Sequence, residues 1–482
     1  MKAENLLDAI GDVKNAYIAE LAGSRRSLSR RPWLAAIAAC LALVLMIGLG
    51  SLGAQAEIGG EGDGLGYYIY EGPVLPLTVQ GDSAGLSAQR SVWMDFGAYD
   101  PDSEKPGHYL QLTDTYTLTS DGDTDRTVTL LYPYIGENRP PISVDGDLVL
   151  ATIHPGAYAG GFMEGVIDLD LPNCFADFEA LLTGTDYFED AFDGFPALDI
   201  PAYVYRLHDF TGTQKENDDD PVLSMAFSVE PGRSRVLSDG FNGGSWDPEN
   251  GQYRKFRWSS VPGDEDSFVI VVGTDLKEYT VQGFRTEDCA PGDELDALSC
   301  TITRYETTLD EVLGYFLEKN WGDEMERMDA SRRYAIPAAE LYRGLAAEHL
   351  LKWGPLSEKC MRRYADGDLN HILYDSHNAV RINWLSFDVT IPAGGSVTVK
   401  ATTQKEASTN DDRGSHLDGY ELATILGSNL TFTGQTATIG NTKWIEIRGQ
   451  NFGFSLEKGI TTVTLDPEVA CYWIKVRCRA HG

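Results

Sequence analysis

Phe387-Asp388-Val389-Thr390-Ile391-Pro392-Ala393-Gly394-Gly395-Ser396-Val397-Thr398-Val399 alternates apolar and polar residues on both sides of a Pro/Gly-rich break. Successive side chains of a strand point to opposite faces, so each arm reads as a half-buried strand and Pro392 to Gly395 as the turn between them. The pattern recurs upstream. Tyr116 to Thr119 and Thr127 to Tyr132 flank the polar run Ser120 to Asp125, which predicts a hairpin. Ile142 to Val144 and Leu148 to Thr152 flank Asp145-Gly146-Asp147, a second hairpin signal. Val222 to Val229, Tyr253 to Trp258, Ser267 to Val272 and Glu278 to Gly283 predict a meander. From Arg381 strands resume, with Leu430 to Thr433, Thr436 to Ile439, Trp444 to Arg448, Thr461 to Leu465 and Tyr472 to Val476 following at short spacings. The expected fold class is mainly β, as tandem β-sandwich-like domains.

Two stretches break the period. Thr308 with Glu311 three residues on forms a capping box, ahead of a helical face of Leu309, Val312, Leu313, Phe316 and Leu317. Ala338 to Trp353 aligns Leu341, Leu345, Ala346, His349 and Leu350, a second helix. Cys174 to Leu182 is a shorter helix candidate.

At the other end of the chain, Trp33 to Gly53 lacks Asp, Glu, Lys and Arg, and about 20 apolar residues suffice to span a bilayer. Arg25, Arg26, Arg30 and Arg31 precede it, and acidic residues follow. Basic flanks stay cytoplasmic, so the N-terminus is expected inside and the body outside. Ala54-Gln55-Ala56 is a competing cleavage site and Ser29 to Leu34 echoes a twin-arginine signal; the length of the apolar core favours a retained anchor. The head aligns Leu6, Ile10, Val13, Tyr17 and Leu21 on one helical stripe, suited to the inner leaflet or to docking a cytoplasmic protein. The expected division is therefore 1–32 cytoplasmic amphipathic helix, 33–54 transmembrane helix, 55–90 Gly-rich tether, 91–300 β-rich domain, 301–380 inserted helical segment and 381–482 C-terminal sandwich-like domain.

The 482 residues carry a formal net charge of −34. A body this acidic repels nucleic acid. Seven cysteines include no C-x-x-C pair; six follow the apolar stretch, and Cys289 with Cys300 is the nearest plausible disulfide among them.

No P-loop, G-x-S-x-G or dinucleotide fingerprint is present. Asp121-Gly-Asp123-Thr-Asp125 and Asp366-Gly-Asp368-Leu-Asn370 alternate carboxylates as calcium loops do. Both lack the Gly and Glu that an EF-hand needs at its sixth and twelfth positions. His371-x-x-x-Asp375-x-His377 offers three ligands, but one helix face holds only the first two. No metal, cofactor or catalytic residue is assigned. The best recognition candidate is the turn-rich Asp239 to Gly251, where Phe241 and Trp246 sit with Asp247 and Glu249, side chains suited to a sugar or peptide.

Several stretches together carry a likeness: Glu4 to Gly11, Arg31-Pro32-Trp33, Tyr116 to Thr119, Thr127 to Pro133, Gly240 to Ser245, Tyr279 to Gly283, Arg304 to Thr308, Val389 to Val399 and Asn451 to Phe454. In them the chain resembles a group of clostridial (Firmicutes) single-pass membrane proteins with a β-rich extracellular region. The head is similar to the inner segment of membrane-bound anti-sigma factors, without their His/Cys zinc motif. The resemblance implies a tethered ectodomain and brings no activity with it. The expected function is non-catalytic surface binding or sensing of a glycan or surface protein, with the bilayer and a cytoplasmic protein at the head as partners. The alternative is a membrane-tethered cell-wall or glycan hydrolase, which needs two carboxylates about 5–10 Å apart.

Overall fold

In the computed structural model, the described residues are 69–479, apart from 137–138, 162–173, 184–194, 213–220, 248, 261–264, 332, 359 and 413–414. The expected head helix, the apolar anchor and the first part of the tether lie outside them. No helix among the described residues is long and apolar enough to cross a membrane. From Ile69 onward the stretch expected as a tether belongs to the fold: Tyr70, Val74, Leu75, Leu77 and Val79 are buried.

The chain is mainly β, with five sheets among the described residues, and it divides into two compact units. One comprises Phe195–Glu326 and Ala338–His377; the other takes the chain on either side, together with Arg327–Pro337. The expected cuts at 300 and 380 follow the change of period. The units instead follow strand pairing, which ignores order in the chain.

In the flanking unit, the quoted strands Ala379–Ile391 and Ser396–Glu406 do not pair with each other. Ala379–Ile391 lies between Arg126–Ile135 and Thr152–Gly161, whereas Ser396–Glu406 pairs with Tyr109–Ser120 in a different sheet. The predicted hairpin at Ser120 to Asp125 is likewise an arch, because its two arms also enter these two sheets. The two arches are stacked at their tips. The Gly394 amide donates to the Gly122 carbonyl at 2.8 Å, and the Ala393 amide donates to Asp125 Oδ1 at 3.0 Å. Alternation is the same in a hairpin and an arch, so it locates both strands and leaves the partner open. Asp145-Gly146 is a true two-residue turn: both have positive φ, and Val144 pairs with Asp147.

The seven-stranded sheet of this unit packs on a four-stranded one. Val92, Met94, Leu110, Leu112, Ala437 and Ile439 from the first meet Tyr420, Leu422, Ile474 and Val476 from the second. A second core gathers Leu131, Ile382 and Trp384 around the helix Phe175–Thr183, through Phe178 and Leu182.

In the inserted unit, the expected meander strands occupy their predicted positions but belong to two sheets. Val222–Ser228, Gln252–Trp258 and Glu278–Phe284 share one, and Ser267–Gly273 lies in the other. Met225, Phe227, Val229, Tyr205, Leu207, Val269 and Val271 fill the core between them. The outer side of the second sheet meets the helix Leu309–Ala330, where the Phe268 and Phe316 rings cross at 86° and 5.2 Å. The Glu311 amide donates to Thr308 Oγ1 at 3.2 Å, as the capping signal required. The Glu311 carboxylate accepts from the Thr307 hydroxyl. All described cysteines are free, Cys289 and Cys300 included.

Candidate functional site

The expected recognition loop is largely a hairpin. Gly243–Asp247 is an edge strand in register with Gln252–Trp258. Phe241 packs against the core of its unit. Trp246 is 40% exposed, and the Lys255 ammonium lies 6.0 Å from its ring centroid, the outer limit of a cation–π contact. Asp247 is committed to the turn: the Asn250 side chain and backbone donate to it at 2.7 and 3.1 Å, and these bonds hold its carboxyl below the usual range. Glu249 is exposed beside it. The four residues share a hairpin without converging on a common point.

His371, Asp375 and His377 go to different partners. Asp375 is buried and accepts from Arg363 at 2.6 and 2.9 Å and from the Tyr364 hydroxyl at 2.7 Å. His371 lies beside Asp368, and His377 packs on Trp321 and Tyr342. The contacts of Asp375 with Tyr364 and Arg363 are a largely buried polar network that braces the helix Leu369–Asn378, whereas His371 is exposed.

Two other places in the flanking unit carry more. The first is a cavity of about 360 Å³ bounded by the strands Arg126–Ile135, Ala379–Ile391 and Ser396–Glu406 and by the segment from Glu71 to Leu75. Tyr132 and Tyr134 line it, with Asn378, Gln404, Lys405 and Glu406. Lys405 is buried, and its ammonium donates to the Glu71 carbonyl at 2.5 Å. Burial pulls its pKa below the ordinary lysine value, opposed by Glu71, Glu406 and Glu421. An ammonium has three donors, so a ligand in the cavity can compete for them.

The second is a cluster of His108, His416 and Asp418, whose ligand atoms all lie within 4.8 Å of one another. Leu110 and Leu112 point into the core, and His108 stands in the bend just before their strand, its ring against Tyr99 at the rim. Tyr420 and Leu422 point into the same core, which aligns Asp418 and His416 behind them. Asp418 is 1% exposed in its side chain, and each imidazole is 52% exposed. His108 Nδ1 lies 2.7 Å from Asp418 Oδ2, and His416 Nε2 lies 2.9 Å from Oδ1. The Tyr99 hydroxyl donates to Oδ2 at 2.8 Å and lies 2.7 Å from the Tyr420 hydroxyl. Burial first, then Tyr420 and Asp418, push the Tyr99 phenol well above its usual range.

Sequence reading singled out neither place. The cavity joins residues from four separate stretches. The cluster joins residues more than 300 positions apart, and its local trace is His416-x-Asp418 on an alternating strand.

No protein-family model matches the chain, and no curated protein matches it.

Proposed function

We propose that the chain is a non-catalytic surface-binding ectodomain, held by the apolar segment Trp33 to Gly53, that seats a small polar ligand of sugar size in the Lys405 cavity. The observation carrying this reading is the lining. Two tyrosines stand with an amide from Asn378, an amide from Gln404, a carboxylate and a buried ammonium. Small-molecule seats combine apolar or aromatic walls with a few placed polar groups, in volumes of about 300–1,000 Å³. The cavity is large enough for a monosaccharide and polar enough to orient it. The tandem-sandwich ectodomain, the outward placement of the body and the resemblance to clostridial single-pass proteins belong to the same proposal.

Its test is a glycan array probed with the detergent-solubilised full chain, followed by titration of any glycan that binds. Removing a charged donor such as Lys405 should cost about 1.5–3 kcal/mol, at least tenfold in affinity. Lys405→Met should therefore weaken binding at least about tenfold while circular dichroism stays unchanged. Undiminished affinity in a folded Lys405→Met chain would move the ligand elsewhere. Protease added to intact cells should degrade the body and spare the head.

A further inference from the structure

We propose that His108, His416 and Asp418 form a site for a borderline divalent transition metal, with zinc as the ion it takes most readily in the tests below. The proposal shares no residue with the Lys405 cavity and stands whether or not that cavity binds anything.

Three features carry it. The first is the donor set. Two imidazoles and one carboxylate within 4.8 Å suit zinc, copper, nickel or iron(II), whereas calcium and magnesium prefer an all-oxygen shell. The second is the state of Asp418. Its Oδ1 is buried and accepts no hydrogen bond of normal geometry, although His416 Nε2 is only 2.9 Å away. This buried oxygen is thus left without a satisfying donor at the edge of the cluster. Among the described residues, the close side-chain partners of Asp418 are the Tyr99 phenol and the two imidazoles. The third is support and access. Tyr99 holds the carboxylate from the core side, with Tyr420 beside it, as outer-shell partners hold metal ligands. Both imidazoles open to solvent, so a hydrated ion can reach the set.

The test uses the full chain, purified in detergent without a histidine tag and stripped with a chelator. Zinc is titrated by calorimetry, and cobalt(II) is added as a spectroscopic stand-in. One zinc per chain is expected, with displacement of cobalt by zinc. His108→Ala and His416→Ala should each weaken zinc by at least about tenfold, and the double variant should remove the site. His371→Ala, which alters an exposed histidine outside the cluster, should leave the titration unchanged. Both ligand histidines are half-exposed, so these variants should retain the parent circular dichroism spectrum in the absence of metal. A double variant that still binds one zinc as tightly as the parent overturns the proposal. So does a parent chain that binds no more tightly than the double variant.

Discussion

Arg90 and Asp114 lie fully inside the flanking unit, each with no exposed side-chain surface. The guanidinium donates to Asp114 through Nε at 3.0 Å and Nη2 at 2.8 Å, and to the Ala423 carbonyl through Nη1 at 2.7 Å. Tyr116 donates to the same carboxylate and accepts from the Leu77 amide, so this network ties four segments together. Breaking a buried pair strands the remaining charge. Arg90→Met should cost about 3–5 kcal/mol in urea unfolding, and Arg90→Met with Asp114→Leu markedly less. Glu421 gives a pH signature. Burial raises its pKa, partly offset by the Tyr70 hydroxyl that donates to it at 2.5 Å and by Lys405 and Lys475. The folded state therefore holds a proton that the unfolded chain has released. That contribution is complete below the unfolded value of about 4.3 and is lost as pH rises through the folded value. Glu421→Gln should thus gain thermal stability relative to the parent as pH rises across this window. Equal pH dependence of the two melting temperatures would refute the assignment.

Strands were largely legible one at a time. Val222–Ser228, Gln252–Trp258 and Glu278–Phe284 fall within a residue or so of the stretches their alternation marked. Helix Leu309–Ala330 begins where its cap required, and the residues of its predicted face are buried. Pairing was not legible, because an alternating arm satisfies a hairpin and an arch equally well. Thr431–Gly440 is continuous where Gly434 and Gln435 suggested a break, since the ladder to Leu86–Asp95 takes a bulge at that point. At the turn that opens the expected recognition loop, Gly240 has φ of +76°, and an added Cβ would meet the Asp266 carbonyl oxygen at 2.5 Å. Gly240→Ala should therefore destabilise the inserted unit by about 1–3 kcal/mol, measured by chemical denaturation. A neutral result would mean that the turn is free to rearrange.

At the scale of the whole molecule, the flanking unit closes only with strands from both ends of the described chain. Ala379–Ile391 needs Arg126–Ile135 and Thr152–Gly161, and Ser396–Glu406 needs Tyr109–Ser120. Residues 381–482 expressed alone should show no cooperative unfolding, whereas residues 195–377, which contain both sheets and the core of the inserted unit, should melt cooperatively. A sharp melt from 381–482 would contradict the pairing. If the metal site holds, zinc at 100 times its dissociation constant should stabilise the chain by about 2.7 kcal/mol. The gain should vanish in the His108→Ala, His416→Ala double variant.

The amino-acid sequence by itself determined the β character, the positions of most strands and the capped helix, since alternation, helical period and caps are properties of neighbouring residues. Only the tertiary structure decided which strands share a sheet, that the chain folds as an inserted unit within a flanking one, and that His108 meets His416 and Asp418. Those are contacts between distant segments. They depend on which apolar faces bury one another, and the local pattern is the same for every choice of partner.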